Sequence, residues 1–278
     1  MATAYWQRVL AGGLAVPTDR PLVDLTAELA TMLGSPDPAV RDGIACPAMA
    51  TWIERGVYDD LISGLGDGMA TGLGVGLGER DTDTVFRRSC SALLLGEVIG
   101  RDNAARLAPP AKVLEWADRI VTWYLRERDL RGYVPGRGRA HAVAHGADAI
   151  GVLARSPHVG TPELIVLLDV IADRVISADV VLHAGEPDRM AMAVMEVLRR
   201  DDVPLRVIEP WIARLAGSAG STADVDPYLA TANPQALLRA LYLQVELAGD
   251  PPPVRADLLL VLVEALRATN SSTLAKPR

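Results

Sequence analysis

The sequence predicts an all-α protein made of short helices, and three observations carry that prediction. Aliphatic residues recur at spacings of three and four, as in Leu164, Leu167, Leu168 and Ile171. Proline and glycine break the chain at intervals that fit helices of roughly 10–18 residues. Half of the residues are hydrophobic, yet aromatics make up only 4%, with Phe86 the single phenylalanine. That composition suits helices packed through Ala, Leu and Val better than a sheet rich in β-branched and aromatic residues. It also excludes disorder, and a chain of 278 residues can bury a sizeable core.

Helix starts are expected near Leu22, Pro38, Asp59, Asp83, Pro110, Arg139, Pro162, Pro187, Pro204, Pro234 and Pro253. Asp37 precedes Pro38 as an N-cap precedes a first-turn proline. Thr161-Pro162-Glu163 repeats that arrangement and adds an acid favourable to the helix dipole. Glu186-Pro187 and Asn233-Pro234 are read the same way, and Asp83 stands where a cap belongs before Val85 and Phe86. The short β-like run ADVVLHAG, 178–185, reads as a connector or a helix end. Helices that recur about every 40 residues from one to the next-but-one predict an α-solenoid of HEAT-like stacked helix pairs. The alternative is an irregular α/α bundle or a closed barrel. One domain over 1–278 is expected, with a frayed tail at 271–278.

The net charge of −7 and a pI near 5.2 argue against a nucleic-acid partner, because phosphate binding wants a basic domain or stripe. The most apolar runs, ELIVLLDVIA and ADLLLVLVEALRA, are short and carry acids, so they read as core helices, not membrane spans. Two cysteines, Cys46 and Cys90, are too few for a disulfide framework and are not spaced as a zinc knuckle. With no signal peptide at the N-terminus, a cytoplasmic protein is expected. Neither GKS/GKT nor a G-x-S-x-G nucleophile motif occurs, and no cofactor is implied.

Residues 61–78, LISGLGDGMATGLGVGLG, show two rows at spacing four. One is Leu61, Leu65, Met69, Leu73 and Leu77; the other is Gly64, Gly68, Gly72 and Gly76. On a helix these predict an apolar ridge beside a smooth groove that another helix can approach closely. Interior glycines weaken such a helix by up to about 1 kcal/mol each, so its later half is expected to be loop.

Residues 131–148, RGYVPGRGRAHAVAHGAD, join a glycine-spaced arginine loop to two histidines. If a helix begins near Arg139 and advances 100° per residue, His141, His145, Asp148 and Val152 fall within about 40° of one another. Val143, Ala147, Ile150 and Ala154 fall on the opposite, apolar side. Five arginines between 124 and 141 (Arg126, Arg128, Arg131, Arg137 and Arg139) face only Glu127 and Asp129, a locally cationic surface on an acidic chain.

Four stretches resemble the bacterial proteins grouped as domain of unknown function 2785. They are RDGIACPAMATWIERG (41–56), GLGERDTDTVFRRSCSALLLGEVIGRDN (76–103), YLRERDLRGYVPGRGRAHAVAHGADAIGVLAR (124–155) and ADVVLHAGEPDRMAMAVMEVLRR (178–200). ERDLRGY followed by AHAVAHGAD is the most specific, and the resemblance spans roughly residues 20–212. It implies an all-helical, solenoid-like fold and carries no activity over. It marks Arg41, Asp42, Asp83, Phe86, Arg88, Asp129, Arg131, Gly132, Tyr133, Gly138, His141, His145 and Asp148 as positions that members tend to share. Arg139 is a departure, since members often have an aromatic there. A likeness to lanthionine cyclases in the AHG triplet fails, because neither cysteine is paired with histidine as their zinc site needs.

Several readings of the 129–148 segment compete. His141, His145 and Asp148 offer an N, N, O set for a divalent metal, but Ala142 stands where the glutamate of HExxH would be, and no metal is expected. In an enzyme, His145 would be the acid or base with Asp148 as its orienter and His141 beside it; Arg137 and Arg139 would clamp an anion. The structural reading has the histidines satisfied by neighbouring helices and Asp129–Arg131 as a loop-bracing ion pair. The leading functional expectation is a binding module. Tyr133, Arg137, Arg139, Arg131 and Asp129 would hold a small anionic or polar molecule, or a peptide segment, on a concave face. A structural adaptor is the remaining alternative.

Overall fold

A computed structural model describes residues 2–218 and 226–270. The chain divides into two compact units, Met1–Ala149 and Ile150–Arg278. The tail at 271–278, expected to fray, lies outside the described residues.

In the first unit, α1 (Ala2–Ala11) and α2 (Leu22–Met32) precede a continuous turn-rich run. Asp37 accepts the Ala39 amide at 2.9 Å and starts α3 (Pro38–Val40), as its sequence predicts. The backbone then widens into a π-helical turn, Arg41–Ala45, and continues as α4 (Cys46–Glu54). A 3-10 turn (Asp59–Leu61) leads into α5 (Ile62–Gly72), followed by α6 (Thr84–Ala105) and α7 (Pro110–Arg126). In α7, Val113, Trp116, Ile120 and Trp123 are buried at helical spacing, so the amphipathic pattern and the buried stripe coincide. A two-stranded hairpin, β1 (Tyr133–Val134) and β2 (Gly138–Arg139), precedes α8 (Ala142–Ala154).

In the second unit, α9 (Thr161–Ser177), α10 (Glu186–Arg199), α11 (Leu205–Ser218), α12 (Pro227–Leu247) and α13 (Arg255–Thr269) pack through aliphatic faces. The connector at 178–185 carries no strand, in keeping with its sequence. Helices two apart in sequence pack on one another in both units: α2 on α4, α4 on α6 and α5 on α7, then α9 on α11, α10 on α12 and α11 on α13. Trp211 of α11 donates to the Leu168 carbonyl of α9 at 2.8 Å, and Arg200 Nη1 reaches the carbonyls of Ser156 and Val159, each at 2.8 Å. The described residues are all-α apart from the hairpin. No helix among the described residues is long and apolar enough to cross a membrane.

Four local expectations are corrected. No helix starts at Arg139: Gly136 (φ +73°) and Gly138 (φ +78°) close a hairpin, and α8 begins only at Ala142. The cap of α9 is Gly160, with Glu163 accepting its amide at 3.0 Å, so the acid satisfies an orphan donor as well as the dipole. Asp83 holds the N-cap position of α6 without capping. Its helical backbone (φ −75°, ψ −13°) is not the extended conformation that aims a carboxylate at the following amides. Asn233-Pro234 starts nothing: α12 runs through it, and buried Asn233 accepts the Leu182 amide and donates to the Val180 carbonyl, both at 2.8 Å. That side chain is spent on fastening the connector.

The glycine-rich segment is helical to Gly72 and turns thereafter, as its composition predicts. The close approaches, however, follow only the later half of the glycine row, Gly72 and Gly76. A Cβ at Gly66, outside the row, would lie 2.2 Å from Trp116, and one at Gly72 2.1 Å from Ser91 Oγ. At Gly64 and Gly68 a Cβ would meet nothing within 4 Å.

Candidate functional site

The hairpin at 133–139 is pinned on several sides. Arg41, fully buried, holds Asp42 with two bonds (2.9 and 2.8 Å) and sits 4.1 Å from the centre of the Phe86 ring. Its Nη2 donates to the Arg137 carbonyl at 2.8 Å and to that of Arg139 at 3.4 Å. The positive φ at Gly138 brings the β2 backbone against Pro38 and Arg41, where a Cβ would meet Pro38 Cβ at 3.1 Å and Arg41 Nη2 at 3.2 Å. Asp129, buried, takes Arg131 in a bidentate pair (2.8 and 2.6 Å), and Arg131 Nη2 continues to the Thr82 carbonyl at 2.9 Å. Asp129 and Arg131 therefore brace the loop. Arg137 pairs with Asp83, the contact that replaces the missing cap.

What remains on the surface is a cross-strand pair. Tyr133 lies opposite Arg139 in the hairpin register; Tyr133 is 64% exposed and Arg139 is exposed as well. Opposed side chains on one face of an antiparallel ladder stand close enough to act on one group.

The histidine helix is two-faced. Between 142 and 154 His145, Asp148 and Val152 are half-buried, and every other residue is buried. His141 precedes the helix at φ +49°, and its carbonyl accepts the His145 amide at 2.9 Å. The two imidazoles lie edge to face with centroids 5.9 Å apart. His145 Nδ1 sits 2.8 Å from Ser89 Oγ, which orients the ring from α6. Ser89 is 1% exposed, too enclosed to meet a substrate as a nucleophile.

Two groups of residues carry more of the local structure than sequence reasoning assigns them. Glu127, counted there only as an acid among arginines, is 3% exposed and pairs with fully buried Arg88. Its carboxylate accepts Arg88 Nε (2.5 Å), Arg88 Nη2 (2.8 Å), Trp123 Nε1 (3.0 Å) and the amides of Arg128 and Asp129 (both 2.9 Å). Arg88 Nη1 finishes on the carbonyls of Val75 and Gly76, both at 2.9 Å. Every ionic group here is satisfied, the condition under which a buried pair is tolerable. The signal in the sequence is the spacing of Trp123 and Glu127, four apart at the end of α7.

Among the described residues, Asp42, Cys46 and Cys90 form the one set of three metal-ligand types whose ligand atoms lie within 4.8 Å of one another; His141, His145 and Asp148 do not form such a set. The Asp42 carboxylate is already held by Arg41, and that guanidinium stands where a cation would have to be tolerated. The thiols lie 3.3 Å apart. The hydrogen bond with Cys46, and then burial, push the Cys90 thiol well above its usual range. The set fits a reduced thiol pair better than a metal centre.

No curated protein and no solved structure matches the chain. One family does, over residues 73–243, a span that starts beyond Arg41-Asp42 and reaches past the expected limit into α12. It contains the ion pair of Arg88 and Glu127, the hairpin and the histidine helix. With more than half of its length matched, the chain belongs to the family described as protein of unknown function (DUF2785).

Proposed function

We propose that the chain is a binding module whose hairpin recognises a small anionic or polar molecule, or an acidic peptide segment, through Tyr133 and Arg139. The observation that carries this reading is the exposed Tyr133–Arg139 pair on a hairpin held by Arg41, Arg131 and Arg137. A rigid aromatic beside a guanidinium, presented on a fixed turn, loses little conformational freedom on binding. Arg131 and Arg137 serve by fixing the hairpin, since Asp129 and Asp83 already engage them. Binding is favoured over acid–base chemistry at His145 because the hydroxyl beside its Nδ1 is enclosed. Stacked HEAT-like helix pairs belong to the same proposal and are supported by the packing of α2 on α4, α4 on α6 and α5 on α7 in the first unit, and of α9 on α11, α10 on α12 and α11 on α13 in the second. So does a place in the bacterial cytosol, which the sparse use of cysteine supports.

The test is a thermal-shift screen of small carboxylates, phosphates and acidic peptides against the wild type and the Tyr133→Ala/Arg139→Ala double variant. Both positions are exposed, so the variant should keep its stability within about 0.5 kcal/mol per site. Ligands that stabilise the wild type should lose that effect in the variant; hits that all survive the double substitution would refute the hairpin site.

A further inference from the structure

The first unit holds a cavity of about 540 Å³, within the range of small-molecule sites. It lies between α2, α5 and α6 and shares no lining residue with the hairpin. Its walls are aliphatic: Val23 and Ala27 from α2, Leu65 and Met69 from α5. Its floor is the Gly64–Gly68 row, where an added Cβ would find open space. The glycines that look like a helix-packing groove thus keep a volume empty.

One cation lines this volume. Arg87 donates through Nη1 to the Ala30 carbonyl, and among the described residues no carboxylate pairs with it. Burial lowers its affinity for its proton, the mark of a guanidinium short of counter-charge. The next residue, Arg88, has Glu127; Arg87 has an apolar cavity. The acids in the lining do not supply the missing charge. Asp59 is held by Arg101 in a bidentate pair at 2.9 and 2.6 Å, and Asp60 is exposed to water. That second carboxylate disfavours a dianion such as a phosphate monoester. The hydroxyls of Thr26 and Tyr58, 3.1 Å apart, add a polar edge to the same cavity.

We infer that this cavity binds an aliphatic monocarboxylate, with its carboxylate on Arg87 and its chain along the Gly64–Gly68 floor. A planar carboxylate matches the fork of a guanidinium, and a pair formed away from bulk water is stronger than one formed in it.

Calorimetry with decanoate and decanol, each kept below its aggregation limit, tests the assignment on the whole chain. Decanoate should bind saturably and about tenfold or more tighter than decanol, the worth of a charged hydrogen bond. Arg87→Met should erase that preference. Gly68→Leu should abolish binding of both by filling the floor, without lowering the melting temperature, because the position is open. Tyr133→Ala/Arg139→Ala should leave decanoate binding unchanged, which separates this site from the hairpin. No saturable binding by the folded wild type, undiminished binding by Gly68→Leu, or an acid-over-alcohol preference that survives Arg87→Met would each overturn it.

Discussion

Arg87 and Arg88 are neighbours on one helix and live in opposite electrostatic worlds. Around Arg88 the charges close on themselves: Glu127 takes the Nε–Nη2 edge of the guanidinium, and its remaining acceptor capacity goes to an indole and two backbone amides. The same holds for the hairpin next door, where Arg41, Arg131 and Arg137 each find an acid within the fold. Around Arg87 the walls are aliphatic and the acceptor is one carbonyl. A saturated network uses its polar groups to define structure, whereas a desolvated charge without its opposite leaves that role to a ligand. Clusters of arginine and histidine in a sequence draw attention to the first kind; the second is visible only when partners are counted.

The largest expected effect breaks the closed side. Arg88→Met strands the buried Glu127 carboxylate and should cost about 3–5 kcal/mol in urea unfolding. Adding Glu127→Gln should recover part of that loss, because the uncompensated charge is then gone. If the single variant loses less than about 1 kcal/mol, the pair is not what organises this region.

A smaller effect sharpens the contrast between the tight and open glycines of α5. Gly66→Ala drives a methyl into Trp116 and should destabilise by about 1–3 kcal/mol. Gly68→Ala, two residues on, should stabilise by about 0.5–1 kcal/mol through helix propensity. Paired melting curves read both signs, and equal signs would contradict the difference in space.

The smallest effect concerns α1. Trp6 and Arg20 both hydrogen-bond Glu28 of α2. Burial pushes the Glu28 carboxyl up, but those two bonds outweigh it and hold it below its ordinary value. A depressed carboxylate stabilises the fold above its unfolded pKa, about 4.3, and that share is lost as pH falls through the folded value. Trp6→Phe, which removes the indole donor, should therefore lose that share at neutral pH and flatten the acid limb of stability, the deficit due to the bond fading as pH falls through the folded value.

Much of the fold was legible because helix punctuation is local. Asp37-Pro38, Pro110 and Pro204 act within one turn of themselves, and the helices begin where they say. The hairpin was not, since an apolar period read through Arg139 outweighed two glycines whose positive φ appears only in the backbone. Asn233-Pro234 misled for a related reason: a capping dipeptide and a buried amide that ties a distant connector look alike in one dimension. The buried and half-buried faces of α8 were readable from Val143, Ile150, His145 and Asp148, because helical geometry sorts them without long-range knowledge. The partners were not. Glu127 stands 39 residues from Arg88, and the Arg137 carbonyl stands 96 from Arg41. Arg87 does not stand out in the sequence, because an unpaired charge has no signature there at all.

The π-helical turn at Arg41–Ala45 carries a further consequence. There the Cys46 amide reaches back to the Arg41 carbonyl, one residue farther than in an α-helix. Deleting one residue from 41–45 would let the backbone relax to ordinary α geometry, and because the wide turn holds its extra residue within itself, the helix on either side would keep its facing. Met49, Trp52 and Ile53 would stay in the core, and the change would fall on the five residues of the turn, Arg41 among them. The segment therefore acts as slack in the helix: a change of length there should cost the contacts of Arg41 with the hairpin and leave the packing of α4 in register.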